Sequence, residues 1–188
     1  LLLNFDSSNA TDESDNGFTD INSAAKVYSS TAAFGSKSLD LNGTSHFLDY
    51  GSSTLLETGG AVPFTLECFA QPDTVSANGT IFARYQDAHN YFVLRSVANA
   101  KFGFVSSIKD AAEATPTVTE LYSNATAIAT TSFYHVAVSA DYANSSVSLY
   151  VNNAKQAQLT AVNYSTIFTG NTKIGVFNTG AAGPGTHA

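Results

Sequence analysis

The sequence contains no tryptophan or methionine, only one cysteine and few charged residues. A lone cysteine excludes an internal disulfide, and because Cys68 lies within an apolar run we expect it to be buried as a small hydrophobic side chain. Charged residues make up 12% of the chain, about half the usual share. The polar surface must therefore consist largely of serine, threonine and asparagine, as is common in extracellular and virion proteins.

Basic residues are especially scarce. Eight lysines and arginines stand against fifteen aspartates and glutamates, which gives a net charge of −7, and the basic residues form no cluster. This argues against a nucleic-acid partner and against a polybasic membrane patch. No stretch approaches the roughly 18 apolar residues of a membrane-spanning helix. We therefore expect neither nucleic-acid binding nor membrane insertion.

Aromatic residues are plentiful, with thirteen phenylalanines and nine tyrosines, and they favour pleated strands. The clearest pattern lies in residues 133–153, FYHVAVSADYANSSVSLYVNN. Val136 and Val138 alternate with smaller or polar residues before a turn-forming stretch, and Val147 and Leu149 alternate after it. This pattern predicts a β-hairpin with one buried face and one solvated face.

Short alternating segments separated by turn signals continue along the chain, which gives about a dozen predicted strands and no amphipathic helix. Residues 7–16 and 106–115 are polar and are predicted to be loops. The pattern predicts an all-β fold in which two antiparallel sheets pack as a sandwich. We expect a single domain over residues 1–180, followed by a glycine- and proline-rich tail over residues 181–188.

Six segments, spread over nearly the whole chain, resemble in order and spacing those of the laminin-G-like, or concanavalin-A-like, jelly-roll domain. The segments are residues 1–6 (LLLNFD), 35–43 (GSKSLDLNG), 63–69 (PFTLECF), 134–138 (YHVAV), 149–153 (LYVNN) and 173–175 (KIG). The resemblance implies a two-sheet jelly-roll sandwich whose final strand returns beside the first.

The chain departs from the family pattern in three respects. Phe69, and the pair Phe133 and Tyr134, stand where the family has tryptophan, and Asn153 stands where it has a turn glycine. The final strand is missing after Ala188. We therefore expect that strand to be absent or to be supplied by a partner chain. Residues 1–5 are then predicted to form an edge strand unless a partner covers them.

The same fold includes glucanases, which need two closely placed carboxylates. Glu67 has no acidic neighbour at position 65 or 69, and Asp40 stands alone in its predicted strand. No two of the four histidines have metal-ligand spacing, and the resemblance implies a structural role for His135. We therefore predict that the protein is not an enzyme.

The best local group for binding a ligand combines aromatic and amide side chains, which are suited to sugars. It consists of Tyr85, His89, Asn90 and Tyr91. The alternative is that these aromatic side chains lie in the core or at a protein interface.

The resemblance also implies a possible calcium site, because laminin-G-like domains often hold Ca²⁺ on rim loops through aspartate and carbonyl oxygens. The candidate ligands are Asp6, Asp20, Asp87 and Asp110. The alternative is that these are solvated loop acids and that no cofactor is required.

Six sequons of the form N-x-S/T mark sites of glycosylation if the protein is secreted by a eukaryote. They begin at Asn9, Asn42, Asn78, Asn124, Asn144 and Asn163. If the source is a phage, none of them carries a glycan.

We predict a non-catalytic structural or adhesion module at the surface of a virion, because openings of the LLL-x-FD type resemble those of phage fibre, tail and capsid decoration proteins that carry this domain. Its expected partners are the other subunits of an assembly, in a homo-oligomer, together with surface glycans. The first alternative is a secreted, calcium-dependent carbohydrate-binding module. The second is a glycoside hydrolase of the same fold. The expected location is extracellular or on the virion surface.

Overall fold

The structure is a computed structural model and describes residues 1–5, 11–19, 27–42, 45–53, 58–59, 63–74, 78–109, 115–124, 128–141, 143–160 and 167–177. These residues form strands and turns, and they contain no helix long and apolar enough to cross a membrane. The strands are β1 (Leu3–Asn4), β2 (Thr11–Asp12), β3 (Val27–Ser29), β4 (Ser38–Asp40), β5 (Leu48–Asp49), β6 (Thr58–Gly59), β7 (Phe64–Ala70), β8 (Gly79–Tyr85), β9 (Tyr91–Val97), β10 (Lys101–Ile108), β11 (Thr117–Tyr122), β12 (Tyr134–Asp141), β13 (Ser146–Val151), β14 (Ala154–Thr160), β15 (Ile167–Phe168) and β16 (Asn171–Ile174). The predicted tail, residues 181–188, lies outside the described part.

Two antiparallel sheets form the body of the fold. One has six strands in the order β11-β10-β9-β8-β16-β5, and the other has four in the order β14-β13-β12-β7. Strands β1 and β2, β3 and β4, and β6 and β15 form three smaller two-stranded ladders. Within the described residues β1 pairs on one side only, as an edge strand does. The arrangement confirms the predicted all-β fold in which two antiparallel sheets pack as a sandwich.

The predicted hairpin is strands β12 and β13, and it supplies one wall of the core. Val138 lies opposite Leu149 in the register, and both are fully buried, as are Val136 and Val147. Phenylalanines of β9 and β10, including Phe104, form the opposite wall. Because each strand has a period of two, the side chains on its inward face all reach this layer between the sheets.

Strand β7 shows the same alternation and explains the behaviour of the lone cysteine. Leu66 and Cys68 pack against the core, whereas Glu67 and Phe69 point to solvent. Burial, together with the neighbouring charge of Glu67, raises the pKa of the Cys68 thiol to about 12. The thiol therefore remains protonated and behaves as a small hydrophobic group, as predicted.

Two predicted loops contain strand residues. Strand β10 continues to Ile108, because Ser106 and Ser107 are buried and pair with β11. The polar serines favoured the prediction of a loop. In the sheet the hydroxyl of Ser107 is satisfied, because Ser107 Oγ donates to the carbonyl of His89 at 2.9 Å. Likewise β2 lies inside residues 7–16, where Asp12 organises the backbone around it.

Asp12 anchors the first strand pair through four hydrogen bonds. Its Oδ1 accepts the backbone N–H groups of Leu2 at 2.8 Å and Ser14 at 3.0 Å. Its Oδ2 accepts the Ser14 hydroxyl at 2.7 Å and the Phe18 N–H at 2.9 Å. Burial disfavours the charged carboxylate, but these donors outweigh that effect and hold the pKa of Asp12 well below its usual value.

Replacing Asp12 with asparagine should destabilise the protein by about 1–3 kcal/mol at pH 7, because an amide nitrogen would then face hydrogen-bond donors. The folded-state pKa lies below the unfolded value of about 3.9. The carboxylate's stabilisation is thus complete above that pH and is lost as the pH falls through the folded pKa.

Urea unfolding at pH 7 and pH 3 tests this expectation. The difference in free energy of unfolding between wild type and the Asp12→Asn variant should be smaller at pH 3 than at pH 7. Asp15→Asn, at an exposed position, is the matched control and should change stability by less than about 0.5 kcal/mol. An equal difference in free energy of unfolding at both pH values would show that the Asp12 charge does not anchor the strands.

Candidate functional site

The face of the six-stranded sheet that points away from the core carries both aromatic and charged side chains. Phe92 and Leu94 point into the core, so Tyr91, Val93 and Arg95 on the same strand point outward. The register extends this alternation across β8, β10 and β11. We name this side of the sheet the outer sheet face; it comprises Ala83, Tyr85, Tyr91, Val93, Arg95, Val105, Ser107, Glu120 and Tyr122. Ala83, Val93, Val105 and Ser107 are buried there, Tyr85, Tyr91, Arg95 and Tyr122 are half-buried, and Glu120 is exposed.

An aromatic cluster occupies one part of the outer sheet face. Tyr85 and Tyr91 lie opposite each other in the register, with ring centroids 6.4 Å apart and nearly parallel planes. Phe177 contacts both rings edge-on, at 5.4 and 4.7 Å, and packs in the same cluster as Val93. Gly175, between β16 and Phe177, has a φ of +86°, in the left-handed region that favours glycine.

A hydrogen-bonded network of charged and phenolic groups occupies the adjacent part. Arg95 Nη2 donates to the hydroxyl of Tyr122 at 3.2 Å, and that hydroxyl donates to Glu120 Oε2 at 3.0 Å. The Tyr122 ring lies over Gly103, where a Cβ atom would come within 2.8 Å of the ring. The absence of a side chain at Gly103 therefore lets Tyr122 reach across β10 to Arg95.

Tyr91 and Arg95 both point outward on β9 with Val93 between them, so the aromatic cluster and the charged network share one face of the sheet. Ser107 lies opposite Tyr91 in the register. Burial raises the pKa of Tyr91, and this effect exceeds the opposing influence of the Ser107 hydrogen bond and the Arg95 charge. The phenol is therefore protonated at neutral pH and remains a hydrogen-bond donor beside an aromatic surface.

The structure brings together the four predicted ligand-binding residues at the β8–β9 hairpin but gives them different roles. Tyr85 and Tyr91 lie on the outer sheet face. His89 is exposed at the turn, and its backbone N–H donates to Asp87. The Asn90 side chain holds the turn together, donating to Asp87 and accepting the Lys109 N–H at 3.0 Å.

Sequence reasoning missed Arg95, Glu120, Tyr122 and Phe177. The first three occupy outward positions of β9 and β11, so the alternation of each strand places them on this side of it. Their mutual contact depends on the register of three strands. Phe177 reaches the face through a turn that no local pattern indicates.

Of the predicted calcium ligands, only Asp87 lies within the part of the chain that the structure describes. Asp87 accepts hydrogen bonds from the backbone of His89 and from Asn90, and these donors lower its pKa although burial opposes them. Asp6, Asp20 and Asp110 lie outside the described residues. The described residues include no group of three or more potential ligands around one point.

Three of the four acids in the strands of the two sheets are widely separated. The fourth, Asp141 at the end of β12, accepts hydrogen bonds from Asn144. Glu120 on β11 and Asp49 on β5 lie on opposite edges of the six-stranded sheet, five strand spacings or roughly 24 Å apart. Glu67 lies on the outward face of the other sheet, 3.2 Å from His135 Nε2. Glycosidase carboxylates are about 5–10 Å apart, so these three acids do not form such a pair.

The sequons fall in two groups. Asn42, Asn78, Asn124 and Asn144 are exposed, as a glycan acceptor must be. Asn9 and Asn163 lie outside the described residues.

Comparisons of sequence are consistent with this architecture. A family model described as the concanavalin A-like lectin/glucanases superfamily matches residues 42–185, which is most of the chain. No curated protein matches the chain.

Several solved structures share the fold at low sequence identity. The binding domain of botulinum neurotoxin serotype G aligns with a TM-score of 0.67 at 9% identity, covering 93% of this chain; the chain spans 42% of that structure's length. Domain 4 of AbnA, a GH43 extracellular arabinanase from Geobacillus stearothermophilus, was solved in complex with arabinotriose. It aligns with a TM-score of 0.61 at 16% identity, and the alignment covers 96% of this chain and 83% of that domain. The CBM40 of the Ruminococcus gnavus IT-sialidase, bound to α2,3-sialyllactose, aligns with a TM-score of 0.51 at 13% identity, and the alignment covers 68% of this chain and 70% of the CBM40 chain.

Proposed function

Because the chain belongs to the concanavalin A-like lectin/glucanases superfamily, we propose that it is a non-catalytic carbohydrate-binding module that holds neutral glycans on the outer sheet face. The observation that carries this proposal is that Tyr91 and the Arg95–Tyr122–Glu120 network lie on the same outward face of the six-stranded sheet, with Val93 between Tyr91 and Arg95 along β9. An aromatic surface and fixed polar groups thus meet on one side of the sheet.

This combination matches the chemistry of a sugar ring. A pyranose or furanose has an apolar C–H surface that packs on an aromatic ring, and hydroxyls that both donate and accept hydrogen bonds. Arg95 offers donors, Glu120 offers acceptors, and the Tyr122 hydroxyl linking them holds both in place. Preorganised groups of this kind lose little conformational freedom on binding.

The charges favour a neutral ligand. Arg95 and Glu120 carry opposite charges and are joined through one hydroxyl, so the network has no net charge. The chain as a whole carries −7, which repels acidic sugars. A neutral oligosaccharide such as arabinotriose therefore suits this face better than a sialylated one.

Similar folds support the proposal. AbnA domain 4 was solved with arabinotriose, and the sialidase CBM40 with sialyllactose, so this architecture accommodates oligosaccharides. The separation of Glu120, Asp49 and Glu67 supports a binding role rather than glycoside hydrolysis. An extracellular location accords with a glycan ligand; a virion setting, a homo-oligomer and Ca²⁺ binding stay predictions.

A glycan array of neutral and sialylated oligosaccharides, followed by calorimetry on the ligands retained, tests the proposal. Wild type should bind neutral glycans, and Tyr91→Ala should weaken binding by about tenfold or more through loss of the stacking surface. Tyr122→Phe keeps the ring and removes the hydroxyl, so it should weaken binding less.

Leu2→Ala removes an exposed apolar side chain outside the outer sheet face and serves as the control, with unchanged affinity expected. Failure of wild type to bind any glycan on the array, or unchanged affinity in Tyr91→Ala, would refute the proposed site.

A further inference from the structure

Two large aromatic side chains are exposed on the opposite side of the sandwich and touch each other. Phe34 is 72% exposed and Phe69 is 47% exposed. Their ring centroids are 4.7 Å apart and their planes are nearly perpendicular, at 87°. Neither ring contributes to the core cluster between the sheets, so core packing does not account for their position.

Local structure holds both rings in place. The alternation of β7 directs Phe69 outward because Cys68 and Ala70 pack inward. Phe34 lies in the β3–β4 connection, which Ser38 closes by donating its hydroxyl to the carbonyl of Thr31 at 2.7 Å. Gly35 at φ +67° provides the turn, so the Phe34 ring is presented by a closed loop.

Polar groups border the two rings. His135 lies opposite Phe69 in the register, with ring centroids 5.0 Å apart. Its Nε2 lies 3.2 Å from Glu67 Oε2, and the Glu67 side chain is 65% exposed. Asn152 fixes this end of β12 by accepting the His135 N–H through its side chain at 3.0 Å. We name the set Phe34, Phe69, His135 and Glu67 the phenylalanine corner.

We propose that the phenylalanine corner is a second carbohydrate-binding site, in which the C–H face of one sugar ring stacks on the exposed phenylalanines and the sugar hydroxyls bond to Glu67 and His135. Phenylalanine supplies apolar surface without a polar atom, and the carboxylate and imidazole supply an acceptor and a second hydrogen-bonding group beside it. The carboxylate disfavours acidic sugars, so the ligand class is again a neutral glycan.

The two sites lie on opposite faces of the molecule. The sheets of a sandwich are about 10 Å apart, and the outward side chains on each face add to that separation. One short oligosaccharide therefore does not reach both sites. A module with two such sites bridges two glycan chains, and its retention on a polysaccharide exceeds that of either site alone.

Nuclear magnetic resonance titration with arabinotriose, cellotriose and maltotriose tests the proposal, because it locates weak sites separately. At least one trisaccharide should shift two groups of backbone amide signals, one around Phe69 and His135 and one around Tyr91 and Tyr122. In the Phe34→Ala/Phe69→Ser variant the first group should lose its response, with affinity there at least about tenfold weaker. The second group should respond as in wild type.

The reciprocal variant Tyr91→Ala should lose only the second group, so failure of this inference is distinguishable from failure of the proposed function. Leu2→Ala should retain both. A wild-type response confined to the outer sheet face, or none at all, would overturn the second site. Self-association that depends on Phe34 and Phe69, measured by sedimentation, would likewise overturn it by showing that another copy of the chain covers the corner.

Discussion

Replacing Asp49 with alanine should destabilise the protein by about 3–5 kcal/mol, the usual cost of removing one partner of a buried ion pair. Asp49 on β5 lies opposite Lys173 on β16, with Oδ2 3.7 Å from Nζ, and both side chains are almost completely buried. Asp49 Oδ1 also accepts the Gly51 N–H at 2.8 Å. The variant removes the carboxylate that faces a buried ammonium group and one acceptor of a backbone N–H.

Urea unfolding followed by circular dichroism measures the effect. Lys155→Ala removes an exposed lysine and should change stability by less than about 1 kcal/mol. The double variant Asp49→Leu/Lys173→Met replaces both charges with apolar groups and should recover most of the loss, because neither charge of this pair is then left buried without its partner. A loss below about 1 kcal/mol in Asp49→Ala, or no recovery in the double variant, would contradict this account.

Replacing Phe104 with alanine should destabilise the protein by a similar amount, about 3–5 kcal/mol. Phe104 is fully buried between the two sheets, and its ring centroid is 5.8 Å from that of Phe92. Truncation removes apolar contacts on both sides and leaves a cavity that two paired sheets cannot close.

Phe34→Ala is the matched control because it removes the same side chain from an exposed position. It should change stability by less than about 1 kcal/mol, since little buried surface is lost. Thermal unfolding of both variants provides the comparison. Equal losses of stability in Phe104→Ala and Phe34→Ala would mean that the layer around Phe104 is not the main source of stability.

The two-sheet fold could be predicted from the sequence because the relevant signal is local. Val136, Val138, Val147 and Leu149 follow a period of two, and that period alone directs them to one side of their strands. The apolar run that contains Cys68 likewise predicted the burial of that side chain. The loop predictions were wrong at Ser106, Ser107 and Asp12, which pair within sheets. The environment of these residues is set by strands that are distant in the sequence.

The candidate site could be predicted only in part. Tyr85 and Tyr91 are separated by a single hairpin turn, so their proximity follows from local sequence. The contact of Arg95 with Tyr122 and Glu120 depends on how β9, β10 and β11 are aligned with one another. The sequence of each strand does not specify that register.

By itself, the sequence determined which side chains of each strand face inward or outward, because this alternation is a property of the extended backbone. Tertiary structure alone decided which outward side chains meet: the order β9-β10-β11 brings Tyr122 to Arg95, and the β3–β4 loop brings Phe34 to Phe69. The reason is that pairing between distant segments depends on how their side chains fit together in the folded sheets, which no short stretch of sequence specifies.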